Sequence, residues 1–271
     1  MVKMFVYAVY RLGSVLVWSA LGCRPVRAFG VRMKLARQTE FPLRTWSYPL
    51  PRHPAKTKIV KYSDFVQMHV VANFIHNLVE PKAIIDVGAH HGTYALLSGS
   101  LLRQKFGCGR VVAIEPNPAS FRILEHNVQR NALGDIVTCI NACCADRNGW
   151  ACITDNGSQS QMRMCDGEKV RTVTVDDVIE KHAQAARPGL IVIDVEGAEL
   201  PVLRGLTLSQ HQPDLLLCEM HPKEWPHFGY TQEDMQTFMS ANGLVAIDTY
   251  FDVTSVLAGE GYVGPCLLLK L

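Results

Sequence analysis

Three short stretches of this chain hold residues whose types and spacing fit ligand chemistry. The first is Asp86-Val87-Gly88-Ala89-His90-His91-Gly92, which ends the short apolar run from Ala83 to Val87 in a turn bracketed by Gly88 and Gly92. Glycines in such a turn let the backbone approach a ligand closely, and the N-terminus of a following helix can face a carboxylate. A dinucleotide site wants G-x-G-x-x-G, but Asp86 stands where the first glycine belongs and His91 where the last one does. A carboxylate in that place would repel a pyrophosphate and favour an ammonium. S-adenosylmethionine, with an amino-acid end and no phosphate, meets that requirement.

The second stretch supplies Glu115, roughly 20 residues beyond the turn and at the end of the next apolar run. An acidic side chain there can accept both ribose hydroxyls. The third is split between Ile193-Asp194-Val195-Glu196-Gly197-Ala198-Glu199 and Glu219-Met220-His221. Methyl transfer to a hydroxyl needs an aligned acceptor and a base for its proton. Asp194, Glu196, Glu219 and His221 are the candidates. His221 comes first because an unperturbed imidazole titrates near neutrality, and Asp194 second. Glu196 and Glu199 also open a helical stretch, where acidic side chains complement the positive helix end. Two carboxylates and a histidine can hold a divalent cation, but spacing alone fixes no coordination geometry, and no metal is expected. His90 and His91 are expected to line the cofactor loop.

The elements that must position these residues alternate. Asp64 to Ile75 reads as an amphipathic helix, Ala83 to Val87 as a strand, Thr93 to about Lys105 as a helix and Arg110 to Glu115 as a strand. A helix follows at Pro118 to Gln129, with strands at Ile136 to Ile140 and Leu190 to Val195. A helix at Glu199 to Arg204 leads to a strand at Asp214 to Glu219, a helix at Thr231 to Asn242, and strands at Leu244 to Thr249 and Tyr262 to Lys270. Such alternation of apolar strands with helices describes an α/β fold, a Rossmann-like doubly wound sheet of about seven strands. Between Asn141 and Val173 the pattern is irregular, with a hairpin expected around Trp150 to Thr154.

Composition narrows the function classes. The 271 residues carry a formal net charge of +2, but residues 1–40 hold seven Lys/Arg against one acidic residue, leaving 20 basic and 24 acidic residues for the rest. A mildly acidic body does not suit nucleic acid, which needs a basic face. Nine cysteines, none in a C-x-x-C pair and several inside apolar runs, read as reduced core thiols. Residues 1–40 form a basic, apolar segment. Its stretch from Met4 to Leu21 approaches the ~20 residues of a membrane span, with Arg11 inside it. A span with the body on the cytoplasmic side, an interfacial helix on a membrane surface, an organelle-targeting segment and a helix packed on the domain itself all remain open. Residues 41–62, punctuated by Pro42, Pro49, Pro51 and Pro54, read as a linker, and residues 63–271 as the catalytic domain.

The motifs resemble those of FkbM-type methyltransferases. The resemblance rests on Asp86 to Tyr94, on Glu115-Pro116-Asn117-Pro118 with Phe121, Leu124 and Asn127, on Thr172 to Val178, and above all on Asp194 to Glu199 with Val202 to Gly205. It implies a class I methyltransferase fold with an antiparallel C-terminal strand, S-adenosylmethionine as cofactor, and methylation of a hydroxyl on a small molecule or glycan. By position it adds Asn117 to a cofactor set of Asp86, Gly88, Ala89, His90, Gly92 and Glu115, and places Asn141, Ala142 and Asp146 by the adenine. Val192 departs from the lysine that members of the family commonly carry. Two competing readings are a membrane-tethered binding module of the same fold without turnover, and a nucleotide-dependent oxidoreductase. The sequence leaves the oligomeric state open.

Overall fold

The computed structural model describes residues 27–28, 31–32, 60–154, 161–163, 168–183, 187–248 and 264–270. The apolar stretch from Met4 to Leu21 and the prolines of the expected linker lie outside these residues.

A helix α1 (Val60–Asn77) precedes the sheet. Then come β1 (Ala83–Val87), α2 (Thr93–Phe106), β2 (Arg110–Ile114), α3 (Pro118–Arg130) and β3 (Val137–Ile140). A small four-stranded sheet follows, made of β4 (Cys143–Cys144), β5 (Gly149–Thr154), β6 (Gln161–Arg163) and β7 (Glu168–Val173) in the order β4-β7-β5-β6. The chain returns to the main sheet through the short helix α4 (Val175–Val178), β8 (Leu190–Ile193), α5 (Glu199–Arg204), α6 (Leu208–His211) and β9 (Leu215–Met220). It ends with α7 (Gln232–Ala241), β10 (Leu244–Asp248) and β11 (Gly264–Lys270).

The main sheet has seven strands in the order β10-β11-β9-β8-β1-β2-β3. Neighbours from β3 to β9 pair in parallel, and β11 runs antiparallel to both β9 and β10. This is the Rossmann-like arrangement expected, with the reversed strand at the C-terminus. Val60 to Tyr62, assigned to the linker by sequence, belong to α1. The expected hairpin near Trp150 exists as β5-β6, but it is part of a sheet that also contains the parallel β4-β7 pair.

Every residue of β1 and β8 is buried, and apart from Asp86 both strands are apolar rather than alternating. Their side chains still divide by face. Ile84, Leu190, Val192 and Leu217 pack with α1, α2 and α3, whereas Ile85, Val87, Ile191, Ile193 and Cys218 pack with α5 and α7 on the opposite side. Each large aliphatic side chain so buried contributes about 1.5–3 kcal/mol.

Local signals set the helix ends. Asn117 caps α3 by accepting hydrogen bonds from the amides of Ala119 and Ser120, with Pro118 at the first helical position. Thr231 and Asp234 form a reciprocal capping box on α7. The sheet register brings Val87, Ile114, Ile193 and Cys218 side by side through successive pairings. The residues that follow them, Gly88, Glu115, Asp194 and Glu219, therefore leave the sheet at one edge. That carboxyl edge is where an open α/β sheet binds its ligand.

Candidate functional site

The turn after β1 is built by backbone conformations that most residues avoid. Gly88, His90 and Gly92 have φ of 84°, 48° and 94°. The amides of Gly88 and Ala89 both donate to the Ile114 carbonyl at 2.9 Å, tying the turn to β2. Gly88 is required for a second reason, since a Cβ built there would lie 1.8 Å from the Asp194 carbonyl oxygen. The turn thus packs directly on the loop leaving β8, and the two halves of the site share a wall.

Glu115 organises this half. Its carboxylate accepts from the His90 amide and the Asn117 amide, each at 2.8 Å, while the Asn141 side chain donates to its backbone carbonyl at 2.8 Å. Burial pushes its carboxyl up to about 7 despite those two amides. One lone pair on each carboxylate oxygen stays open to further donors.

Asp86 is completely buried. Neither of its oxygens accepts a hydrogen bond of ordinary geometry, and burial raises its carboxyl to about 7, with the nearby Ala95 amide offsetting only part of that cost. An orphaned buried carboxylate is expensive, and its retention calls for a cationic or hydrogen-donating ligand. This observation, with the cradle that only Gly88 leaves open, fits the amino-acid end of S-adenosylmethionine.

His90 and His91 stack at 3.7 Å between ring centroids, and burial lowers them to about 4 and about 3, so both are neutral at pH 7. They line the turn without charging it. Of the three residues expected near adenine, Asn141 is tied to the Glu115 segment and Ala142 is buried beside it. Asp146 lies further along, half exposed at the end of β4, with an ion pair to Arg147 at 4.0 Å and no described hydrogen bond to the turn.

The second half of the site lies where β8 and β9 end. Asp194 is fixed through its amide, which donates to the Val87 carbonyl at 2.9 Å. Glu196 holds φ 49°, a conformation that costs a non-glycine residue of order 1–3 kcal/mol. Gly197 follows with φ 110°, and a Cβ there would meet Glu224 at 2.5 Å.

Glu199, which the sequence presents as a helix-end charge, has a different place. It is fully buried, and its Oε1 accepts from the Gly197 amide at 3.0 Å and faces His221 Nδ1 at 2.7 Å. Its Oε2 accepts from Trp225 Nε1 at 2.7 Å. The Tyr230 hydroxyl stands 3.1 Å from Oε2 and 2.8 Å from the Gly197 carbonyl, with one proton to share between them. An ionised carboxylate accepts only, so His221 Nδ1 carries the proton of that contact.

The other ring nitrogen, Nε2, faces Glu196 Oε2 at 3.5 Å and Glu219 Oε1 at 4.0 Å. Burial alone would lower the imidazole, but the Glu199 hydrogen bond and the charges of Glu199, Asp194 and Glu196 raise it to about 10. Burial raises the Glu196 carboxyl against the pull of His221. The near-neutral titration expected of His221 from sequence is therefore not what its surroundings produce.

Glu219 has its own support. Its Oε2 accepts from Gln67 Nε2 at 2.8 Å, and Gln67 Oε1 accepts from the Tyr94 hydroxyl at 2.8 Å. Gln67 is fully buried and comes from α1, so this chain of bonds links the helix after the β1 turn to the end of β9. Sequence reasoning missed Gln67, Tyr94, Trp225 and Tyr230. The available signal was Gln67, a polar residue on the stripe shared with Val71 and Ile75 at i+4 spacing.

All four expected acceptor-side residues thus converge, and the cofactor-side residues do so apart from Asp146. Among the described residues, Asp194, Glu196 and His221 can also place one donor atom each within 4.8 Å of one another.

Known proteins resemble this chain. A hexuronic acid methyltransferase, AglP of Haloferax volcanii, is 25% identical over 168 residues, which make up 57% of this chain and 62% of that protein. The chain thus spans less than two thirds of that relative's length. The FkbM methyltransferase structure from Methylobacillus flagellatus is 21% identical, with 53% of this chain and 34% of that one covered and a TM-score of 0.39. An O-methyltransferase of Bacillus cereus in complex with SAH is 16% identical, with coverage of 88% and 92% and a TM-score of 0.46. The model of the methyltransferase FkbM domain matches residues 86–245, more than half of the chain and inclusive of the turn, Glu115 and the cluster around His221. The chain belongs to the methyltransferase FkbM domain family.

Proposed function

We propose that this protein is an S-adenosylmethionine-dependent methyltransferase acting on a hydroxyl oxygen of a small molecule or glycan. The buried Asp86 carboxylate, neither oxygen of which accepts a hydrogen bond of ordinary geometry, is the observation that carries the cofactor reading. In this reading Asp86 meets the ammonium end, Glu115 takes the ribose hydroxyls, and Gly88, Ala89, His90 and Gly92 form the cradle. Asn117 and Asn141 hold Glu115 in place, with Ala142 beside them. When bound, the cofactor supplies an electrophilic methyl group on a sulfonium.

The chain's own contribution to chemistry is to align the acceptor and remove its proton. Proton removal falls to a carboxylate of the group Asp194, Glu196 and Glu219. His221, fixed by Glu199, balances their charge and presents Nε2 to the same space. The similarity to a hexuronic acid methyltransferase supports a sugar-derived acceptor. We assign residues 1–40, basic and apolar in sequence, to contact with a membrane surface. No helix among the described residues is long and apolar enough to cross a membrane.

The test is methyl transfer from labelled S-adenosylmethionine to a panel of sugars, uronic acids and glycosides. Labelled product from any of them, lost in Asp194→Asn, supports the reading. Cofactor binding without turnover on any acceptor would instead favour a binding module of the same fold.

A further inference from the structure

The group at the ends of β8 and β9 is rich in negative charge for so enclosed a place. The described ion pairs of Glu196, Glu199 and Glu219 all end on the single imidazole of His221. Asp194, Glu196 and His221 each offer one donor atom within 4.8 Å of the others. Ligands bound at roughly 2.0–2.6 Å from one ion are separated by at most about 4–5 Å, so the three can share a centre with little movement.

We propose that Asp194, Glu196 and Nε2 of His221 form a site for a first-row divalent cation, which on binding takes the place of the proton on Nε2 and releases it to solvent. The proposal rests on reading this cleft as the acceptor side of a methyltransferase. A second observation lies outside the donor set. The fully buried Glu199 takes the Nδ1 proton at 2.7 Å and is itself anchored by Trp225 at 2.7 Å and the Gly197 amide at 3.0 Å. A buried carboxylate on one ring nitrogen fixes the tautomer and aims the other nitrogen, which is how proteins orient a histidine that ligates a metal.

Glu219, held from behind by Gln67, places its second oxygen 4.0 Å from Nε2 and closes the rim. One imidazole with two carboxylates suits Mn2+, Fe2+ or Zn2+ better than Mg2+ or Ca2+, which prefer oxygen alone. A cation in this place would bind the acceptor oxygen, lower its pKa and offset the surrounding carboxylates. Glu219, outside the ligand set, would remain as a proton acceptor.

The experiment uses the full chain, stripped with chelator and titrated with MnCl2, with S-adenosylhomocysteine binding measured on the same sample. Electron paramagnetic resonance should show one Mn2+ per chain, and the pulsed spectrum should show nitrogen modulation from imidazole. The modulation should vanish in His221→Ala, and Glu196→Gln should weaken Mn2+ by about tenfold or more. If His221→Ala does not fold, the nitrogen signal of the native protein and the affinity of Glu196→Gln decide. Failure to bind one Mn2+, bound Mn2+ without nitrogen modulation, or unchanged affinity in Glu196→Gln would overturn the site. Retained S-adenosylhomocysteine binding alongside any of these results leaves the methyltransferase reading standing. Loss of that binding in the folded, Mn2+-loaded protein strikes the methyltransferase reading instead.

Discussion

Replacing Asp86 with asparagine should make the protein more stable at alkaline pH and a poorer binder of its cofactor. Asp86 is fully buried without an ordinary hydrogen bond, and its carboxyl titrates at about 7 instead of 3.8. Below pH ~4 the folded and unfolded chains both hold the proton, and the ionisation penalty is absent. Between pH ~4 and ~7 the unfolded chain loses its proton while the folded one keeps it, so stability falls as pH rises through this window. Above ~7 both forms are ionised, and the folded state bears the full penalty. At 1.36 kcal/mol per pKa unit, the shift corresponds to a penalty on the order of 4 kcal/mol.

Asp86→Asn removes the charge while leaving an amide to bury, so ~4 kcal/mol is its ceiling. In a domain of this size that equals a rise in melting temperature of at most roughly 8–16 °C at pH 8. The gain should shrink to nothing near pH 4. Glu115, raised to about 7, stays in the variant and leaves a residual slope of the same sign. Affinity for S-adenosylmethionine should fall by about tenfold or more, the usual worth of a hydrogen bond to a charged group. Thermal melts at a series of pH values and calorimetry on the same samples measure both effects. A variant that melts at or below the native temperature at pH 8, or binds the cofactor equally well, would refute this reasoning.

Gly88→Ala should destabilise the fold by more than about 2 kcal/mol in urea melts and abolish cofactor binding, since its φ is 84° and its Cβ would strike the Asp194 carbonyl. Gln67→Leu removes the hydrogen bonds to both Glu219 and Tyr94, whereas Gln67→Glu keeps an acceptor for Tyr94 and loses only the donor to Glu219; in Gln67→Glu kcat or acceptor KM should worsen by about fivefold or more in steady-state assays while cofactor affinity holds. Deleting residues 1–35 should shift the protein from the membrane to the supernatant fraction on cell fractionation, and an unchanged distribution would remove the membrane assignment.

The sequence displayed the strand–helix alternation and the glycine-bracketed turn after β1 because both are local. Leu190 to Ile193 is an unbroken apolar run, Ala83 to Val87 is apolar but for Asp86, and that aspartate in a glycine pattern is visible in seven residues. Asp194, Glu196, Glu219 and His221 were legible for a related reason: strand ends in such a sheet share one edge. What sequence could not display is side-chain pairing across long separations. Glu199 looked like a helix-end charge because its partners His221, Trp225 and Tyr230 follow 22, 26 and 31 residues later. Gln67 finds Glu219 across 152 residues. The pairing of β4 with β7 hid in the same way, behind a hairpin that local pattern did reveal. His221 shows the energetic side of this limit, since its identity implies a near-neutral group and only its neighbours raise it to about 10.

The edge formed by Asp86, Gly88 and Glu115 should bind S-adenosylmethionine. Titration calorimetry of the full chain with S-adenosylmethionine and, separately, with reduced NAD tests it most directly. The expected result is one S-adenosylmethionine bound per chain with micromolar affinity and no binding of the dinucleotide. A folded protein that binds reduced NAD and not S-adenosylmethionine, or neither, would contradict it.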